Sequence, residues 1–274
     1  MGIITISRQL GSHGFEVAKG LADSMQFKLI DKQELEGRFA AFGLPGATAE
    51  RLDEKKPGFW DAFSRDKDKY QNLLAMAVLE FALDGDCVFL GRGAQNILED
   101  LPCVVRVRLI SSISVRLQRV RERFKCDEVH ARRIINQSDA DRAGFHRFFF
   151  DSNWASDESY DLVINTGTLS RESAIDIIRQ AALSACAAQR WDLAKKKLAD
   201  RYLAQTVAAR ILYVEHIPVV MLEVRSSGGK VVLKGSVDDQ AAVGRCRELA
   251  LAVPGVTEVE NELVCFPTYV SSVY

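Results

Sequence analysis

The 274-residue chain has six cysteines but no C-x-x-C pair, and only four histidines. Zinc sites gather Cys and His ligands at short spacings. Cys87, Cys103, Cys126, Cys186, Cys246 and Cys265 are scattered instead, so no metal framework is expected from them. They suit a reducing compartment, most of them buried as small hydrophobes. No stretch approaches 18 apolar residues, so no transmembrane segment is expected. The start, Gly2-Ile3-Ile4-Thr5-Ile6, is a strand pattern. It has no basic start, long apolar run and cleavage site of a signal peptide. These absences favour a cytoplasmic location. The formal net charge is −1, so global charge argues for neither nucleic acid nor an anionic membrane as partner. No low-complexity linker divides the chain.

What is present is an alternation of short apolar runs with helical periodicity. Residues 2–7 read as a buried strand, 8–14 as a glycine turn and 15–26 as a helix. Phe27–Ile30 reads as a second strand, with Asp31 placed to cap a helix from Lys32. Residues 43–58, with three glycines and two prolines, read as a loop. A helix is expected over 66–84, stopped by Gly85, then a strand at Cys87–Leu90 running into Gly91-Arg92-Gly93. Further strands are expected at Val104–Leu109 and Leu162–Ile164, with helices at 112–123, 127–149 and 171–188. Strands alternating with helices predict a mostly parallel sheet with both faces covered. After about residue 189 the pattern changes to a helix over 190–212 and strands at Val219–Val224 and Lys230–Val237. A helix at 239–252 and a strand at Val256–Cys265 come next, and the last nine residues read as frayed.

A strand, a glycine turn and a helix make an anion site, because helix N-terminal N–H groups converge there. Ser7-Arg8-Gln9-Leu10-Gly11-Ser12-His13-Gly14-Phe15-Glu16 has that context but is not G-x-x-x-x-G-K-[ST]. The lysine that reaches the β and γ phosphates is missing, as is the hydroxyl that holds magnesium. On these residues alone, Gly11 and Gly14 make either a phosphate loop or a plain tight turn.

Three stretches carry a resemblance: Ile4-Thr5-Ile6-Ser7-Arg8-Gln9-Leu10-Gly11-Ser12-His13-Gly14, then Leu90-Gly91-Arg92-Gly93-Ala94, then Trp154 with Tyr160-Asp161-Leu162-Val163-Ile164-Asn165-Thr166-Gly167 and Leu169-Ser170. In order and spacing they resemble the cytidylate kinase-like family over residues 3 to about 183. The resemblance implies an α/β fold: a P-loop nucleoside-monophosphate-kinase-like parallel sheet flanked by helices. It places Gly14 where the phosphate-binding lysine belongs and Glu16 where the hydroxyl residue belongs. His13 replaces a family glycine, and Phe15 a polar or basic residue. His13 either donates to a phosphate or narrows the loop, and Glu16 either caps the loop or reaches magnesium.

Arginine can supply the missing charge through its five-donor fork. Arg8, at the strand end, is the first candidate, against a salt bridge at the sheet edge. Residues 116–147 hold nine basic and five acidic groups, a local charge of +4. By resemblance the lid lies at roughly 120–148. Arg132, Arg142 and Arg147 are the catalytic candidates there, because Phe145, Phe148, Phe149 and Phe150 should anchor that segment. Arg116 and Arg119, on the preceding helix, are assigned to nucleotide binding, together with Asn165, Thr166 and Gly167 beside the adenine. On the acceptor side, Arg92 is held between glycines beyond a strand, where open parallel sheets bind ligands. Asp31 and Arg38 join it, with Arg51 and the acidic pair Asp53-Glu54 as weaker candidates.

Residues 207–265 resemble a BON domain, on the run Gly229-Lys230-Val231-Val232-Leu233-Lys234-Gly235-Ser236-Val237 and on Val253-Pro254-Gly255-Val256-Thr257-Glu258-Val259-Glu260-Asn261. The expected organisation is 1–188 kinase-like, 189–206 a helical connector and 207–266 a small α+β BON-like domain. A homo-oligomer partner or a small ligand is expected through that domain. The resemblance as a whole implies ATP and Mg2+ as cofactors and small-molecule nucleotide substrates. The leading expectation is ATP-dependent phosphorylation of CMP or dCMP. The alternatives are a weakly active or inactive nucleotide-binding regulatory module, and a kinase with another small acceptor.

Overall fold

The computed structural model describes residues 2–39, 42, 67–186 and 188–266. The expectations for 43–58, Arg51, Asp53 and Glu54, and for residues beyond 266, lie outside the described residues.

Ile3–Arg8 forms β1, an apolar and β-branched run with five of its six residues buried. Strands buried on both faces read this way, without polar alternation. Beside it stand β2 (Lys28–Ile30), β3 (Cys87–Leu90), β4 (Val104–Ile110) and β5 (Leu162–Asn165). All pairings are parallel and the order is β2-β3-β1-β4-β5. This order is new information, since periodicity says nothing about which strands are neighbours. The central strand β1 lies between β3 and β4, so the turn that leaves it is flanked by the loops leaving those two strands.

Side chains alternate between the two faces. Ile3, Cys87 and Phe89 enter one core with α2 (Lys32–Phe39) and α3 (Lys67–Asp84). Ile4, Ile6, Val88 and Leu90 enter the other, with α1 (Gly14–Met25). Gly91-Arg92-Gly93 leads from β3 into α4 (Ala94–Ile97). After β4 come α5 (Ile113–Phe124) and α6 (Glu128–Phe150), a helical hairpin. Ser112 and Asp127 cap these helices through their side chains, which accept from Val115 N and His130 N. Leu117, Val120, Ala131 and Ile135 hold the hairpin together. At the far end of α6, Phe145 and Phe149 are buried in the first core. Helix α7 (Arg171–Ala185), capped by Ser170, covers the second core through Ala174 and Ile178. It stops before the expected residue 188, because Cys186 leaves helical geometry.

The 22-residue α8 (Ala188–Ala209) is about 33 Å long at 1.5 Å per residue. Its Trp191, Ala194 and Leu198 belong to the first core, and its Val207 to the C-terminal one. Arg201 donates to the carbonyls of Ile97 and Glu99 at 3.1 and 2.9 Å. Asp200 accepts from Gly228 N at 2.7 Å. The helix ends in a π-helical turn, Arg210–Val214. Beyond it lies a second sheet, of β6 (Val220–Ser227), β7 (Lys230–Val237) and β8 (Glu258–Cys265). β6 pairs antiparallel and β8 parallel with β7. α9 (Gln240–Leu251) packs over it through Ala242, Cys246 and Ala250. β8 starts later than Val256, because Val256 N is used in the turn, donating to Val253 O. Among the described residues no helix is long and apolar enough to cross a membrane.

Candidate functional site

The chain leaves β1 at Arg8 and turns through Gln9–His13 into α1. Gln9 N donates to Leu109 O at 3.0 Å, and Ser12 Oγ to Gln9 O at 2.8 Å. Gly11 (φ 82°) and His13 (φ 57°) are both left-handed, and His13 gives α1 no side-chain cap. The first N–H groups of α1 have no partners within the helix. Phe15 is 52% exposed. Glu16 is also exposed and sits 3.9 Å from His13 Nδ1. Burial, and then the charge of Arg119, lower the His13 pKa below its usual 6.5, against an opposing pull from Glu16. A lowered histidine binds fewer protons folded than unfolded. Its stabilising contribution is therefore complete above pH 6.5 and is lost as pH falls below that value. Acidification from about pH 7.5 to about pH 5.5 is expected to lower Tm more in the wild type than in His13→Asn, whose side chain tolerates the left-handed backbone. Parallel melting curves check this, and equal slopes would contradict it.

Arg8 turns its side chain across the start of α1. A Cβ on Gly14 would lie 2.6 Å from Arg8 Cβ, with Cγ nearer still. On the other side, a Cβ on Gly91 (φ 80°) would strike the Arg8 guanidinium. The two glycines thus form a slot for this one arginine.

Next to the slot, at the carboxyl ends of β1 and β3, lies a cavity of about 90 Å³. Arg8, Lys32, Arg92, Arg142 and His146 line it, and Phe145 and Trp154 form its walls. Arg92 is 7% exposed and left-handed (φ 57°), held between the left-handed Gly91 and Gly93. It pairs with Glu36 at 3.4 Å and stacks on Phe145 at 5.6 Å. Lys32 lies 3.9 Å from the same carboxylate. Arg142 donates to Ser138 Oγ at 2.6 Å on its own helix. Trp154 Nε1 donates to Ser7 Oγ at 2.7 Å, and Tyr160 OH to Trp154 O at 3.0 Å. Burial raises the Tyr160 pKa, so the phenol stays a donor. Arg108 stacks on both rings at 5.2 and 5.8 Å. These bonds fix the cavity wall.

Of the residues singled out from sequence, Arg8, Arg92 and Arg142 therefore meet in one place, beside the turn formed by Gly11, Ser12, His13 and Gly14. Arg132 and Arg147 do not. Arg132 pairs with Glu128 at 3.1 Å on the outer face of α6, and Arg147 is exposed. Asp31 caps α2, accepting from Gln33 N and Glu34 N at 2.8 and 3.2 Å. Arg38 pairs with Glu80 at 3.5 Å and stacks on Phe81 at 5.0 Å, outside the cavity. Asn165 accepts from Gly167 N at 2.9 Å, closing the turn after β5. Arg116, Arg119 and Thr166 bond to the carbonyls of the turn at 10–12. Arg116 Nε donates to Leu10 O at 2.8 Å, Arg119 to Gly11 O at 2.9 Å, and Thr166 Oγ1 to Ser12 O at 2.9 Å. Sequence reasoning did not single out Lys32, Glu36 or His146. Lys32 had a signal, since a residue just after a capping Asp at a strand end starts its helix over the sheet's carboxyl edge.

A family model described as the cytidylate kinase-like family matches residues 3–168, about three-fifths of the chain. The chain belongs to the cytidylate kinase-like family. A second model, the BON domain, matches residues 199–265, so a kinase-like α/β domain is fused to a C-terminal BON domain. Among solved structures, an uncharacterized protein from Eubacterium ventriosum is 25% identical, covering 67% of this chain and 99% of that one, with a TM-score of 0.49. A shikimate kinase from Bacteroides thetaiotaomicron is 17% identical, covering 66% and 97%, with a TM-score of 0.41. A curated relative, a uronate isomerase of Corynebacterium glutamicum, is 29% identical over 101 residues, 37% of this chain. The match spans about a fifth of that relative's length, at 19%. Membership places the chain among P-loop kinase-like proteins.

The donor set of the cytidylate kinase-like domain suits a polyphosphate: several cations line one cavity, and the N-terminus of α1 lies beside it. For magnesium, no cluster of three His, Cys, Asp or Glu side chains occurs among the described residues. Magnesium in kinases commonly takes one or two carboxylates and completes its shell with phosphates and water. Glu16, in the first turn of α1, is the carboxylate beside the loop that would serve.

Proposed function

We propose that this protein transfers the γ-phosphoryl group of ATP to a pyrimidine nucleoside monophosphate, CMP or dCMP. The convergence of Arg8, Lys32, Arg92 and Arg142 on one cavity beside the loop carries this reading. Phosphoryl transfer needs positioning and positive charge on the equatorial oxygens rather than a covalent intermediate. Arg8 spans the loop and the cavity, so it meets the group in transit. Arg92, preset by its glycines and Phe145, holds the acceptor phosphate. Arg142 comes from the lid helix α6 and adds charge from above. Phe145 and Trp154 exclude water from one side. The acceptor is already an oxyanion, so no general base is required. Magnesium would supply charge neutralisation to ATP, with Glu16 as the residue that would hold it.

The test is ADP release across a panel of nucleoside monophosphates with Mg-ATP. Turnover with CMP or dCMP above the others is expected. ATP binding without turnover on any acceptor would sink the kinase reading and leave the second one, a regulatory nucleotide-binding module. The exposed Phe15 and the His13–Glu16 pair in the loop favour that second reading. So does α8, which is buried in both cores and links the loop domain to the BON domain.

A further inference from the structure

The turn after β1 is held from the β4 and β5 flank. On the β4 and β5 side, three side chains take three successive carbonyls: Arg116 takes Leu10 O, Arg119 takes Gly11 O and Thr166 takes Ser12 O. The clamp is itself braced. Arg116, 4% exposed, also donates to Asp139 on α6 at 2.8 Å, and Arg119 donates to Thr166 O at 2.8 Å. Thr166 is 2% exposed.

A trans peptide points its C=O and the next residue's N–H in opposite directions. Carbonyls at 10 and 12 turned toward β4 and β5 therefore turn the N–H groups of Gly11 and His13 the other way. That other way is the β3 flank, where Gly91, Arg92 and the basic cavity lie. Ser12 N is used inside the turn, donating to Gln9 O at 3.3 Å. We infer that Arg116, Arg119 and Thr166 are positioning residues for a polyphosphate, acting through the backbone of the loop rather than as ligands of the nucleoside. This rests on the phosphoryl-transfer reading above. It gives a lysine-free loop a means of presenting its amides without ligand-induced ordering. Through Asp139 it also ties the loop to the helix that carries Arg142.

Calorimetry on the full chain tests the inference, with ATP and inorganic tripolyphosphate as separate probes. Thr166→Val keeps the shape and removes the hydroxyl that bonds Ser12 O. It should weaken both probes by the same factor, about tenfold, the cost of one lost buried hydrogen bond. Thr166→Ser should bind both like the wild type. Should the valine variant fold poorly, Arg119→Lys keeps the charge, loses the fork, and should weaken both probes in parallel. Weakened ATP with unchanged tripolyphosphate would mean a direct contact to the nucleoside and would overturn the inference. Unchanged binding of both probes would overturn it while leaving the kinase reading intact. A wild type that binds neither probe would remove both.

Discussion

Arg8→Ala should lower kcat by about 10²–10³, the usual loss when one preorganised donor to a developing charge is removed. The KM for ATP should change far less, because the loop amides remain. The structural reason is the slot between Gly14 and Gly91, which aims one guanidinium at the cavity. Gly91→Ala should act on the same quantity from the other side. Its Cβ would displace the Arg8 guanidinium, and the left-handed backbone would cost a further ~1–2 kcal/mol of stability. In the double variant the two losses in kcat should not add, since the glycine matters to turnover only through Arg8. Additive losses would show that the slot and the arginine act separately.

The second large effect concerns Arg92. Arg92→Ala should raise the KM for the acceptor about 10- to 100-fold, as expected for losing a hydrogen bond to a charged group. It should also destabilise the fold, because Glu36 loses a partner at 3.4 Å. Breaking a buried pair from one side costs up to about 3–5 kcal/mol. Lys32, 3.9 Å from the same carboxylate, reduces that cost. Adding Glu36→Gln to Arg92→Ala separates the two roles. Urea melts should recover toward the wild type, whereas the acceptor KM should stay high. A KM that recovers together with stability would make Arg92 a structural residue only.

The strands at Ile3–Arg8 and Cys87–Leu90 were legible because parallel strands buried on both faces read as unbroken apolar runs. Arg92 was legible for a related reason, since an arginine between two glycines straight after such a strand is placed by backbone geometry. The slot around Arg8 was not legible. It depends on β3 lying next to β1, and strand order leaves no trace in periodicity. On α6, charge and the neighbouring aromatic cluster drew Arg132, Arg142 and Arg147 together, but helix geometry separates them: Arg132 lies ten residues, about 15 Å, before Arg142. Arg147 is five positions beyond Arg142, so it is turned by about 140° at 3.6 residues per turn and faces solvent. Arg116 and Arg119 stood out by charge and by the family resemblance. Their bonds to backbone carbonyls of the turn are something no side-chain pattern marks.

On the proposed reading a loop without lysine, served by Arg8, still moves a phosphoryl group. The decisive measurement is label transfer from γ-labelled ATP to CMP, run on the wild type and Arg8→Ala side by side. Labelled CDP should form with the wild type, and the rate should fall by about 10²–10³ in the variant. Equal rates from the two proteins, or no label on any nucleoside monophosphate while ATP binds, would contradict it.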